Sequence, residues 1–264
     1  MFIINSYRYS NDPITENGFV TDGLLAFFHA GNYDGNGNYI TNSPFPGTWT
    51  DISENSNDFT FSNFAGTTSD GAVGDNTSGT ESYVKLDGTD SYIDDVTDVL
   101  LSGTDGLSLM VNIVLDNIVN WQRVFDWNNE DTLWLTTKTS KAVDRIASGH
   151  CGFRITDAQT GGTTLTCDLG ALSTATSYNL CVTFDISTKT MIAYVDGSQV
   201  DTDSDAGFNI SNWLANFTTW LVGKSYYGAD PYLDGKINSW AIYDKALSST
   251  EVTQNYNAGI IWTP

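Results

Sequence analysis

Gly106-Leu107-Ser108-Leu109-Met110-Val111-Asn112-Ile113-Val114-Leu115 is the stretch whose reading settles the fold class. Leu107, Leu109, Val111, Ile113 and Leu115 occupy alternate positions, so an extended chain places all five on one face. The alternation returns in Leu180, Val182, Phe184 and Ile186, and again in Met191, Ala193 and Val195. Asp196-Gly197 follows at once, a pair suited to the positive φ angles of a tight hairpin, and Gln199-Val200 begins the return strand. Further strands are predicted at 82–86, 91–94, 123–127, 132–136, 152–156, 163–168, 219–222 and 236–243, divided by Gly- and Asn-rich spacers. Residues 32–79, rich in Gly, Asn, Ser and Thr, read as long loops with short strands. One helix is predicted near the end: Ser248 and Glu251 have capping-box spacing, Val252 and Tyr256 share a face, and Gly259 stops it. The expected fold is all-β, a two-sheet antiparallel jelly-roll sandwich with one short C-terminal helix.

The chain has 264 residues, a length that a single large β-domain accommodates. No linker divides it, and we expect an N-terminal arm over 1–20 and one jelly-roll domain over 21–264. Its 32 acidic residues face 11 basic ones, a formal net charge of -21 with no basic stripe to neutralise phosphates. Nucleic-acid binding and attraction to anionic membranes are excluded on that balance. Asp outnumbers Glu 27 to 5, which concentrates the negative charge on a residue that favours turns and edges. No apolar run approaches the ~18 residues of a membrane span. The opening Met1-Phe2-Ile3-Ile4-Asn5-Ser6-Tyr7-Arg8 lacks the pattern of a secretory signal, so synthesis in a reducing cytoplasm is expected. Cys151, Cys167 and Cys181 form no C-x-x-C and cannot all pair. Buried reduced thiols are the expected state, with a Cys151–Cys167 bridge as the alternative.

Beyond periodicity, several phrases occur in a telling order. Trp220-Leu-Val-Gly-Lys, Tyr232-Leu-Asp-Gly-Lys-Ile, Trp240-Ala-Ile-Tyr-Asp-Lys-Ala-Leu-Ser-Ser-Thr-Glu and Asn255-Tyr-Asn-Ala resemble the end of laminin-G-like jelly rolls of the concanavalin A-like lectin/glucanase superfamily. Upstream, Cys181-Val-Thr-Phe-Asp with Ile192-Ala-Tyr-Val-Asp-Gly-Ser-Gln-Val resembles the family's central hairpin. Val84-Lys-Leu-Asp-Gly-Thr-Asp-Ser-Tyr-Ile resembles another of its strands. Gly23-Leu-Leu-Ala-Phe-Phe-His-Ala-Gly-Asn, with Trp49-Thr-Asp-Ile-Ser-Glu-Asn, is similar to the copies in bacteriophage structural proteins. That resemblance implies a non-enzymatic virion protein of capsid, tail or fibre, located on the particle surface and adhesive to host-surface polysaccharide. Its partners would be other virion proteins or copies of itself. Phe2, Ile3, Ile4, Tyr7 and Tyr9 are too apolar for a free tail and are expected to make those contacts. A lectin acting outside a virion is the alternative, and a glycoside hydrolase the third reading, since the fold by itself fixes no function.

Candidate sites follow from residue chemistry. Glycoside hydrolysis needs two carboxylates ~5–9.5 Å apart across the bond. The glucanases of the resembled superfamily place that pair with an E-x-D-x-x-E or E-x-D-x-E strand, which the five Glu, at 16, 54, 81, 130 and 251, never form, so no catalysis is expected. His29 lies in an apolar strand, and His150 points away from its neighbour Cys151, which leaves neither poised as a catalyst. Sugar binding calls for an aromatic face beside amides and carboxylates. Asp126, Trp127 and Asn128 offer that combination at one strand end, and Tyr226, Tyr227, Asp230 and Tyr232 in the loop before the last strand. No cofactor is required. Calcium is the optional one: Asp201, Asp203 and Asp205 have the 1,3,5 spacing of a calcium loop, although Ala206 and Asn212 stand where Gly and Glu are needed. In laminin-G-like relatives an Asp early in the last strand holds calcium, and here the matching position is Asn238.

Overall fold

The computed structural model describes residues 18–53, 55–74, 82–95, 105–127, 133–158, 161–214 and 220–258. In chain order the strands are β1 (Leu24–His29), β2 (Thr48–Trp49), β3 (Phe59–Ser62), β4 (Gly71–Val73), β5 (Tyr83–Asp87), β6 (Tyr92–Asp95), β7 (Gly106–Leu115) and β8 (Arg123–Trp127). They continue as β9 (Leu133–Thr136), β10 (Cys151–Thr156), β11 (Thr164–Gly170), β12 (Ser177–Asp185), β13 (Thr190–Val195), β14 (Ser198–Ser204), β15 (Trp220–Val222) and β16 (Asp234–Tyr243). Two helices are present among the described residues, α1 (Ile210–Leu214) and α2 (Ser249–Asn257). The capping box at Ser248 and Glu251 forms as expected. Helix α1 was not expected; it is a single turn that lowers Trp213 into the core.

Two antiparallel eight-stranded sheets face each other. The first runs β14-β13-β12-β7-β16-β5-β4, with β1 also paired to β16; the second runs β11-β10-β9-β8-β15-β6-β3-β2. Between them lies one core that includes the five aliphatic residues of β7 together with Phe28, Trp127, Trp213, Trp220 and Trp240. Asp196 and Gly197 turn the β13–β14 hairpin with φ of 50° and 73°, as the pair predicts. A second, smaller cluster lies outside the first sheet. There Met110, Cys181, Tyr194, Ala241 and Tyr243 face outward and are covered by Phe19, Val20, Leu247 and Val252. Phe19 stacks on Phe27 at 4.8 Å, and the buried Asn255 of α2 accepts from the Val20 amide at 2.8 Å and donates to the Tyr243 hydroxyl at 2.9 Å. Residues 18–20 of the expected arm thus belong to this covering layer. Phe2, Ile3, Ile4, Tyr7 and Tyr9 lie outside the described residues.

The sheet margins are closed by short polar side chains. Where β11 and β14 run side by side, the Thr166 and Asp168 amides donate to Asp203 Oδ2 and Asp201 Oδ2, each at 2.9 Å. Asn42 accepts from the Ala72 amide at 2.6 Å and donates to the Ala72 carbonyl at 2.8 Å, imitating a neighbouring strand along β4. Asp51 accepts from the Phe27 amide, while Asn55 and Asn57 donate to the Leu25 carbonyl. An unpaired strand margin leaves backbone groups to satisfy, and here Asx side chains do so. All three cysteines are unpaired and buried, and burial pushes their thiols well above the ordinary range.

Candidate functional site

Strand periodicity gives the second sheet two unlike faces. Phe153, Leu135, Phe125, Val222, Ile93 and Phe61 pair across five strand junctions and all point into the core. One residue along, Arg154, Trp134, Asp126, Leu221, Asp94 and Thr60 pair in the same order and face outward. No helix covers this row among the described residues. The loop between β15 and β16 folds over it instead.

At the centre sits Arg123, whose side chain is only 3% exposed. A buried guanidinium must be paired, and this one reaches two carboxylates. Its Nε meets Asp126 Oδ2 at 3.2 Å and its Nη2 meets Asp230 Oδ2 at 3.1 Å. Its guanidinium carbon lies 5.0 Å from the Trp134 ring and 5.7 Å from the Trp121 ring, two indoles that meet edge to face. Ser225 Oγ lies 3.1 Å from Asp126 Oδ2 and 2.9 Å from Asp230 Oδ2. The Tyr226 amide donates to Asp126 Oδ2 at 3.2 Å, and the Tyr227 amide donates to Ser225 Oγ at 3.1 Å. Burial raises the Asp126 carboxyl to about 6, against the opposing pull of the Arg123 charge. Above this base the Tyr226 and Tyr227 side chains are exposed, at 40% and 42%. Beside them the Lys224 ammonium lies 3.9 Å from the Tyr92 ring and 5.8 Å from that of Tyr232.

Of the residues expected to bind sugar, the structure brings together Asp126, Tyr226, Tyr227 and Asp230, with Tyr232 alongside. Two expectations change. Trp127 is fully buried against Trp220, because it shares the inward face of β8 with Phe125. Asp126, expected as a ligand contact, is itself buried and acts as a strut that holds the tyrosine loop to the sheet. Asn128 lies outside the described residues. Reading the sequence missed Arg123, Ser225, Trp121 and Trp134. An Arg and an Asp in the short, otherwise apolar strand Arg123-Val-Phe-Asp-Trp were the available signal. Their spacing of three hid the pairing, since a bulge in the β8–β9 register between Arg123 and Phe125 is needed to put both side chains outward.

The proposed calcium loop is a strand. Asp201 and Asp203 lie on one face of β14, where they take the β11 amides and also pair with Arg145 Nη2 at 2.9 Å and Nη1 at 2.6 Å. Asp205 accepts from the Gly207 amide and stands apart from them. Asn238 is buried and donates to the Ser82 carbonyl. Among the described residues no three His, Cys, Asp or Glu side chains are arranged to hold a metal ion. His150 Nδ1 meets both oxygens of Asp168 at 2.8 and 2.9 Å on the rim of an open cleft of about 440 Å³. His29 is buried and accepts from the Gly31 amide.

The family comparison agrees with this architecture. A model of the Laminin_G_3 family, described as concanavalin A-like lectin/glucanases superfamily, matches residues 87–253. The chain belongs to this superfamily. No curated protein matches it in sequence. Among solved structures, this lectin-like domain is similar to the binding domain of botulinum neurotoxin serotype D, with TM-score 0.60 and 14% identity, over 91% of this chain and 53% of that one. It is similar to domain 4 of AbnA, an extracellular arabinanase from Geobacillus stearothermophilus in complex with arabinotriose, with TM-score 0.56 and 14% identity, over 88% and 98%. Trypanosoma rangeli sialidase in complex with sialic acid matches with TM-score 0.57 and 14% identity, over 90% of this chain and 33% of the sialidase. The chain therefore spans about half of the toxin domain and a third of the sialidase. At such identities the likeness is one of fold, in a superfamily that holds both binding domains and enzymes.

Proposed function

We propose that this lectin-like domain is a non-enzymatic adhesion module that binds a glycan on the loop between β15 and β16. One observation carries the reading: two exposed tyrosine rings stand on a loop whose backbone is fixed from below by Arg123, Asp126, Asp230 and Ser225. A pyranose offers an apolar face and a ring of hydroxyls. Tyr226 and Tyr227 supply the stacking surface, and Asp230, partly exposed, supplies a hydroxyl acceptor. A loop already ordered before binding loses little entropy on contact, which suits a shallow surface site. The solved structure of AbnA domain 4 in complex with arabinotriose supports the idea that this fold can hold a sugar.

The setting we propose is the surface of a bacteriophage particle, with other virion proteins or further copies as partners. It is supported by the resemblance of residues 23–32 and 49–55 to phage copies and by the high acidity. Mass spectrometry of purified particles tests the setting, and absence of the protein from them would refute it. Retention on immobilised host polysaccharide tests the site. Tyr227→Ala is expected to weaken retention about ten-fold, the value of one stacked ring. Unchanged retention in both Tyr226→Ala and Tyr227→Ala would refute it.

A further inference from the structure

The base of the tyrosine loop contains more acceptors than its own donors can satisfy. Ser225 Oγ lies within hydrogen-bond distance of Asp126 Oδ2 and of Asp230 Oδ2, yet a hydroxyl has one proton to give. It also accepts from the Tyr227 amide, which leaves room for exactly one more donor. With both carboxylates ionised, one of the two short contacts would set a lone pair against a lone pair. In addition, Asp126 Oδ1 is buried without a hydrogen-bond partner among the described residues. A bare carbonyl oxygen is tolerable in such a place, whereas half of a bare carboxylate is expensive.

One extra proton removes both difficulties. If Asp126 carries it on Oδ2, that oxygen donates to Ser225 Oγ, Ser225 donates to Asp230 Oδ2, and Oδ1 becomes a neutral carbonyl. A protonated Oδ2 keeps two acceptor positions, one for the Arg123 Nε–H and one for the Tyr226 N–H. The other groups that face Asp126 are the Arg123 guanidinium on β8 and the Tyr226 amide in the loop, while Trp134 opposite on β9 and Leu221 on β15 carry no charge. Arg123 makes the ionised pair bearable but supplies no proton to the Ser225 contacts.

We infer that Asp126, Ser225 and Asp230 form a proton-dependent clasp, closed by a shared proton in mildly acidic solution and loosened when that proton leaves. The raised carboxyl of Asp126, at about 6, places the change within the range a particle or cell surface meets. The clasp deepens the adhesion reading and rests on it for its consequence: closing it fixes Tyr226 and Tyr227, so binding should be tighter below pH 6 than above pH 7. Loss of one neutral hydrogen bond corresponds to about five-fold in affinity.

The test uses the intact chain and needs no ligand. Carbon-detected NMR follows the Asp126 carboxyl, and amide hydrogen exchange, corrected for intrinsic rate, follows Tyr226 and Tyr227 from pH 5 to 8. The expected result is a carboxyl that titrates near 6, with protection of both amides falling about five-fold over the same midpoint. Asp230→Asn is the discriminating variant. Its side-chain oxygen stays toward Arg123 Nη2 and, being neutral, competes weakly for the Ser225 proton, so the hydroxyl can donate to the ionised Asp126. The step in protection should disappear, and the Asp126 carboxyl should titrate lower. An Asp126 carboxyl ionised throughout the range would overturn the clasp, as would protection that is flat with pH in the natural chain or an unaltered step in Asp230→Asn. Retention on host polysaccharide is then measured at both ends of the range. A working clasp with no retention at any pH would refute the adhesion reading and leave the clasp standing.

Discussion

The two outer faces of the sandwich differ in what they need. On the first sheet the outward residues Met110, Cys181, Ala241 and Tyr243 are apolar or nearly so, and the chain covers them with α2 and residues 18–20. On the second sheet the outward row contains Arg154, Trp134, Asp126 and Asp94, and among the described residues only loops cross it. A strand buried on both faces reads as a nearly continuous apolar run, as in Gly106-Leu-Ser-Leu-Met-Val-Asn-Ile-Val-Leu. A strand with one polar face interrupts that run with charge, as in Arg123-Val-Phe-Asp-Trp. The first face therefore stabilises the domain, and the second is available to do something else.

The sharpest way to break this contrast is to cut the covering layer. Phe27→Ala should lower stability by about 3–5 kcal/mol, since Phe27 is buried against Phe19 under the cover. Chemical denaturation measures it, and a loss below about 1 kcal/mol would show that the covering layer is incidental. Next comes Arg123→Ala, which strands two carboxylates on the other face and should cost about 3 kcal/mol at pH 7. That loss should shrink at pH 5, where Asp126 can take a proton; a pH-independent loss would show that packing against Trp121 and Trp134 dominates.

A smaller effect carries a definite sign. The Asp126 carboxyl is raised in the folded chain from 3.8 to about 6, so the native state keeps a proton through a window in which the unfolded chain has lost it. Its contribution is fully present below pH 4 and is lost as pH rises through 6. Asp34, Asp87, Asp116, Asp185 and Glu251 are held below their ordinary values, each by hydrogen bonds or paired lysines that outweigh burial, and work in the opposite sense in acid. The difference in stability between the natural chain and Asp126→Asn, measured from pH 4 to 8, isolates the one group; a flat difference would contradict the raised value. The smallest expected effect is on stability in Tyr227→Ala, within about 0.5 kcal/mol, because the ring is exposed and removes no core contact.

Most of the fold was legible because alternation is a geometric property of extended chain. The strands at 107–115, 180–186 and 191–195 lie where their apolar faces put them, and the Asp196-Gly197 turn follows from two residues that accept positive φ. The site was legible in its exposed part and in Asp126, but not in the rest of its buried base. Tyr226 and Tyr227 announce themselves as aromatic residues in a Gly-containing loop. Arg123 and Ser225 do not, because their partners come from 3 to 107 positions away and meet only after a bulge and a crossover. The expected loop at Asp201 and Asp203 is a strand for a related reason: spacing by two describes a metal loop and one face of a strand equally well, and only the neighbouring β11 decides between them.

The closure of the margins by Asp201, Asp203, Asn42, Asp51, Asn55 and Asn57 bears on how copies of the chain can meet. Backbone hydrogens that already point at a carboxylate of their own chain offer no template to a neighbour's strand. Crowded side by side, these domains can press faces and touch loops, but they are kept from knitting their sheets into a continuous ribbon. The Asx-rich composition thus works as insulation along those margins.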